Sequence, residues 1–233
     1  MEKTLVILPA YNEEQNINSV VSSITAMGYS VLVIDDYSKD KTAELATAAG
    51  ATVVKHPTNM GYGVALQTGY KYALAYKYNW LVQMDGDGQH IPDYIPAVLK
   101  PVVGEEADLC IGSRFLGVGD YNPPLMRKLG MEFFRRMLKI MTGKSITDPT
   151  SGFQAMNNRV IAYLAQDIFP DDYPDADVIY MLLRAGAVIK EVGVAMNYNT
   201  QSSMHSRLIN NIYYMFKLNL LLLAYSTKTI KKI

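Results

Sequence analysis

The sequence predicts an α/β fold built on a mostly parallel central sheet flanked by helices. Short, almost wholly apolar runs recur along the chain, as in strands buried on both faces. Longer stretches with helical periodicity separate these runs and can serve as crossovers. Several of the runs end in acids, and the carboxyl ends of strands are where such sheets bind ligands.

Taken in order, TLVIL (4–8) is the first strand and 13–27 the first helix. Asn12 and Gln15 stand at the spacing of a capping box for that helix. SVLVI (30–34), a helix at 40–49, ATVVK (51–55) and an alanine-rich helix at 63–77 follow. WLVQM (80–84), a helix at 92–100, DLCIG (108–112) and AVIKEVGV (187–194) complete the sheet. The second half changes character. PPLMRKLGMEFFRRMLKIMTGK (123–144) is basic and rich in Met and Phe, with a helix expected over 124–142. A helix over 177–185 follows the acids of YPDAD, and LINNIYYMFKLNLLLLAY (208–225) is long and apolar.

At 233 residues and 49% apolar, the chain can bury a sizeable core in one domain. Its net charge of zero argues against nucleic acid as a partner. The single cysteine, Cys110, sits in an apolar run and permits no intramolecular disulfide, as expected of a reducing compartment. MEKTLVILPAYNEE reads as a strand entering a helix and lacks the basic start and cleavage site of a signal peptide.

The chemistry concentrates in MDGDGQH. In extended chain Asp85 and Asp87 point the same way, about 7 Å apart. Two like charges held together call for a cation, and hard carboxylate oxygens suit Mg²⁺ or Mn²⁺ shared with a diphosphate. Gln89 adds a neutral oxygen, and Gly86 and Gly88 let the backbone turn and a ligand approach. An EF-hand beginning at Asp85 fails, because Pro96 stands where its closing Glu belongs. At two other strand ends, Tyr11 with Glu13 and the pair Asp35-Asp36 are placed to meet a nucleoside. NMGYG (59–63) reads as a tight loop before its helix.

VILPAYNEEQNI, VLVIDDYSKDKT, NMGYGVALQTGYKYA, VQMDGDGQH, IGSRF and TDPTSGFQA, in this order, resemble the family 2 glycosyltransferases. Within them they look most like the dolichyl-phosphate mannosyltransferase branch and its bacterial polyprenyl-phosphate relatives. The resemblance covers roughly residues 4–205. It implies a GT-A fold, a nucleotide-diphosphate sugar donor, a divalent metal and inversion at the anomeric carbon. Carried over, Pro9, Tyr11, Glu13, Asp35 and Asp36 hold the nucleoside, while Asp85, Asp87 and Gln89 lie at the metal and diphosphate. Arg114 of GSRF and Arg127 of MRKLG match arginines near the donor and acceptor phosphates. Asp148 and Ser151 shape the sugar site. The sequence departs from the family in two places. MNYNTQSS (196–203) carries no arginine where the family has a diphosphate-closing loop, which leaves His205 or Arg207 to substitute, and Gln154 replaces an arginine common among relatives.

A polyprenyl phosphate acceptor is already anionic and needs no general base, whereas a hydroxyl acceptor does. Asp177 is the candidate base for the hydroxyl case. The expected function is therefore transfer of a hexose or N-acetylhexosamine from a UDP-linked donor to a polyprenyl phosphate, with undecaprenyl phosphate first. Transfer to a glycan hydroxyl is one alternative, and a non-catalytic nucleotide-sugar-binding regulator is the other. From Val192 onward there is no acid, but Arg207, Lys217, Lys228, Lys231 and Lys232 are present. That balance, with the apolar run 208–225, suits a helix lying in a membrane interface or packing between subunits. The expected organisation is a transferase domain over 1–205 and such a helix over 206–233. The expected location is peripheral, at the cytoplasmic face of the cell membrane. Another copy of the chain or a small membrane protein is a candidate partner.

Overall fold

In the computed structural model of the chain, residues 3–119, 125–167, 169–170, 174, 176–197 and 232 are described. Strands β1 (Thr4–Ala10), β2 (Ser30–Asp35), β3 (Thr52–Lys55), β4 (Trp80–Gln83), β5 (Leu109–Ser113), β6 (Gln154–Asn157) and β7 (Ile189–Gly193) form one sheet. Their order is β3-β2-β1-β4-β6-β5-β7. Every pairing is parallel except those of β6, which runs antiparallel between β4 and β5. The mostly parallel sheet expected from the sequence is thus present.

Period-two alternation along the strands divides the core. Leu5 and Ile7 of β1, Leu32 and Ile34 of β2 and Leu81 of β4 enter one apolar cluster. That cluster is covered by α3 (Tyr62–Ala75), α5 (Leu125–Thr142), α6 (Asn158–Leu164) and α7 (Ala176–Ala185). Val6, Leu8, Val31, Val33 and Val82 enter the other. They meet α1 (Ile17–Ala26), α2 (Thr42–Ala48) and α4 (Ile95–Val103). Both faces are therefore dry, which is why the strands read as continuous apolar runs.

Several expectations need correction. The first helix begins at Ile17, and its N-cap is Asn16, whose side chain makes no capping hydrogen bond to the helix. Asn12 is no cap: it lies in left-handed backbone with φ 57°. The segment 92–100 begins as a 3-10 turn (Pro92–Tyr94) and becomes helical at Ile95. β6 and α6 have no counterpart in the sequence reading. β6 is four residues, QAMN, without a two-residue period, and its extended state comes from the two strands it joins.

α5 buries Met131, Phe134 and Leu138 while Phe133 and Ile140 stay exposed. On its outer side Arg136 donates to Glu132 at 2.7 Å. No helix among the described residues is long and apolar enough to cross a membrane. The expected helix over 206–233 lies outside the described residues, as do His205 and Arg207.

Candidate active site

Because β1, β2, β4, β5 and β7 run parallel, their carboxyl ends share one edge of the sheet. β6 runs the other way and brings its entry, Ser151–Phe153, to that same edge. The sequence-predicted acids converge there.

Asp85 and Asp87 follow β4, but the chain does not stay extended: residues 86–87 turn, and Gly88 has φ 76°. A Cβ at Gly86 would sit 3.3 Å from the Pro9 carbonyl oxygen, so buried Pro9 packs the turn from behind. Asp85 is held from two sides. Tyr62 donates its hydroxyl to Oδ1 at 2.8 Å, and His90 meets Oδ2 through Nε2 at 3.1 Å. Gly152 presses on the same carboxylate, since a Cβ there would lie 3.0 Å from Oδ2. Burial raises the Asp85 pKa, but His90, Tyr62 and Arg114 outweigh it and leave it below the ordinary value.

Asp87 accepts from the Gln89 backbone N–H at 2.9 Å and from its side-chain amide at 2.5 Å. Gln89 therefore turns its nitrogen toward Asp87. Burial, reinforced by the Asp85 charge, raises the Asp87 pKa. Glu13 behaves likewise: burial raises its pKa against the Asn16 hydrogen bond, with the charges of Asp87, Asp85 and Asp40 adding to the rise. The site is a set of carboxylates that repel one another. It offers the hard oxygen atoms a divalent cation prefers and an electrostatic need for one, although the described residues contain no cluster of three or more such groups placed around one ion.

Asp36 is buried, and both its oxygens are occupied. Oδ1 accepts from His56 Nδ1 at 2.7 Å and Met60 N at 2.8 Å, and Oδ2 from Gly61 N at 2.8 Å. It pins the loop that starts α3, where Gly61 needs φ 93°. Asp35 accepts from Ser38 N at 3.0 Å, which closes the turn after β2. Tyr11 stands exposed after β1.

Arg114 and Asp148 form one unit. Nε and Nη2 donate to the two oxygens of Asp148, each at 2.7 Å, and Nη2 also reaches Thr150 Oγ1 at 2.9 Å. Glu191 of β7 fixes the turn that carries Asp148 by accepting from the backbone of Thr147 and Asp148. Ser151 donates to the Gly112 carbonyl at 2.6 Å and so ties this turn to β5. Asp177 lies fully buried in the first turn of α7. Arg127 lies on α5.

The sequence reading missed His90, Tyr62 and His56. His90 is buried, and the bridge it forms with Met196 brings the segment after β7 against the DGDG turn. Asn197 then bonds to Gln89 and Gly88. The position of His90 three residues beyond Asp87 was a signal, but the contact arises from tertiary pairing.

The family model described as "Glycosyl transferase family 2" matches residues 5–164. A UDP-N-acetylglucosamine–dolichyl-phosphate N-acetylglucosaminyltransferase from Methanococcus voltae is 27% identical over 217 residues, 84% of this chain and 86% of that one. An undecaprenyl-phosphate mannosyltransferase from Micrococcus luteus is 32% identical over 202 residues, 82% of each chain. Among solved structures, glucosyl-3-phosphoglycerate synthase from Mycobacterium tuberculosis, in complex with Mn²⁺ and UDP-glucose, is similar with a TM-score of 0.71 at 22% identity. That match covers 96% of this chain and 78% of that one and shows a GT-A fold.

Two expectations arise from this geometry. Arg114→Ala strands the buried Asp148 charge and should cost about 3–5 kcal/mol in urea denaturation, so loss of turnover in that variant is uninformative until folding is verified. Asp87 has a folded pKa above its unfolded one, so its ionisation opposes folding as pH rises through that range. In EDTA, Asp87→Asn should therefore be more stable than wild type at pH 7. The difference should vanish below about pH 3.9, where the unfolded carboxyl is also protonated. A gain that persists at pH 3 would refute the electrostatic account.

Proposed function

The chain belongs to glycosyl transferase family 2, and we propose that it is an inverting enzyme that transfers a hexose or N-acetylhexosamine from a UDP-linked donor to a polyprenyl phosphate, undecaprenyl phosphate first. The observation that carries this reading is the convergence of Asp85, Asp87 and Glu13 on the open sheet edge, with the pKa of Asp87 and Glu13 raised. Such a site takes a polyanionic diphosphate only in company with a cation. Asp85 and Asp87 would hold Mg²⁺ or Mn²⁺, with Gln89 orienting Asp87. When bound, the ion supplies the positive charge that stabilises the leaving diphosphate. Tyr62 and His90 fix the Asp85 carboxylate so that no reorganisation is needed at the moment of transfer.

Two relatives that this chain matches over most of its length carry lipid-phosphate acceptors in their names, and their sugars differ. A lipid phosphate is already anionic and needs no base. α5, with exposed Phe133 and Ile140 beside basic residues, is of a kind that rests on a lipid surface. Both features support a peripheral membrane location, and the cytoplasmic face is the one we propose.

The deciding experiment incubates the protein with labelled UDP- and GDP-sugars, polyprenyl phosphate and Mg²⁺ or Mn²⁺, and follows label into the lipid phase. Label entering only glycan alcohols would overturn the acceptor assignment. Asp87→Ala or EDTA should lower turnover by about a hundredfold or more, and full activity in EDTA would remove the metal from the scheme. Asp177→Asn should keep substantial turnover with a phosphate acceptor, whereas a hydroxyl acceptor predicts a loss of about 10²–10⁴-fold.

A further inference from the structure

Tyr37, just beyond β2, stands in left-handed backbone with φ 69°. For a bulky aromatic residue this is an outlier, and such strain persists only where the surroundings impose it. Here they do. Asp35 Oδ1 accepts from Ser38 N at 3.0 Å, Ser38 Oγ accepts from Asn12 N at 2.9 Å, and Asn12 Oδ1 accepts from Lys39 N at 2.8 Å. Asn12 is itself left-handed. The loops after β1 and β2 are thus latched together, and Tyr37 is held out from the latch rather than folded into the core.

The ring is 42% exposed. The Lys39 ammonium lies 3.4 Å from its centroid. A cation over the π-system occupies one face and orients the ring, and the exposure of the residue leaves it open to solvent. The remaining face is a flat, rigid platform at the ligand-binding edge of the sheet.

The sheet order says what would lie on it. β4 bears the acidic turn, β1 is next, and β2 follows. Two strand spacings make about 10 Å. A donor whose diphosphate sits at Asp85 and Asp87 and whose ribose crosses β1 places its base near the end of β2. We propose that Tyr37, braced by Lys39, is the stacking platform for the donor's nucleobase. This inference rests on the nucleotide-sugar reading above and adds a specificity residue to it. A stacking ring reads the flat face of a base, so it supplies affinity for the nucleoside and none for the phosphates.

The test uses full-length Tyr37→Gly and Tyr37→Phe proteins in Mg²⁺. Calorimetric affinities are measured for UDP, GDP and inorganic diphosphate, and melting temperature is followed in parallel. Glycine accepts the left-handed backbone without strain, so Tyr37→Gly should melt no lower than wild type. Its affinity for whichever nucleotide the wild type prefers should fall about ten- to a hundredfold. Diphosphate affinity should stay unchanged, and Tyr37→Phe should bind nucleotide nearly as wild type does. Unaltered nucleotide affinity in Tyr37→Gly overturns the platform while leaving the transferase reading intact. An equal fall for nucleotide and diphosphate also overturns it, because the loop would then be acting on the phosphates. A wild-type protein that binds neither nucleotide overturns the transferase reading and the platform together.

Discussion

Carboxylates carried to the ends of buried strands must be given partners, and most of the site's architecture follows from that requirement. A desolvated charge without a partner is costly, and the cost is met by hydrogen bonds from fixed donors. Each acid at this edge recruits a different segment. Asp36 recruits the loop before α3, Asp148 recruits Arg114 from the end of β5, and Glu191 recruits the turn before β6. Asp85 recruits Tyr62 of α3 and His90 beyond the turn. The acids therefore act as tie points for elements far apart in sequence. The sheet brings their ends together, and the carboxylates fix how the ends meet.

This arrangement divides the acids into two electrostatic kinds. Asp148 is neutralised within the protein by a two-point bond to a guanidinium, and Asp36 is saturated by backbone and imidazole donors. Asp87 and Glu13 receive less, and their pKa values rise. Glu13 and Asp87 are half-buried, whereas Asp36 and Asp148 are buried. A structure that needed only stability would distribute donors more evenly. The imbalance is the physical signature of a place that expects charge from outside.

Much of this was legible in the sequence. Apolar runs of five to eight residues marked the parallel strands, and the acids at their ends marked the edge that binds. β6 was not legible, because QAMN has neither alternation nor β-branched residues and is extended only by its neighbours. The capping box at Asn12 and Gln15 was misleading for a related reason. The Asn12 side chain has two local uses, and the tertiary bond to Lys39 N prevailed over the helix cap. His90 and Tyr62 were missed because their importance depends on distance to Asp85, and neither spacing nor periodicity encodes that distance. Arg114 was visible as an arginine near phosphates, but its commitment to Asp148 was not, because the two are 34 residues apart.

The commitment of Arg114 changes how the cleft's charge should be understood. A guanidinium with Nε and Nη2 already on a carboxylate contributes little net field to an incoming diphosphate. Lys39 is drawn onto the Tyr37 ring. Among the described residues, the carboxylates of Glu13, Asp85 and Asp87 also lie at this edge, and they repel phosphate. On the proposed reading, the donor and a divalent ion therefore arrive as one unit, because neither the bare diphosphate nor the bare acid pair is well matched without the other. On the same reading, the sequence departure at 196–203, where the family's loop arginine is lacking, acts in the same direction wherever His205 or Arg207 does not take its place, and the geometry of Asp85 and Asp87 becomes the more demanding part of the proposed site. That demand gives a physical reason for Asp85 to be held by a phenol and an imidazole at once.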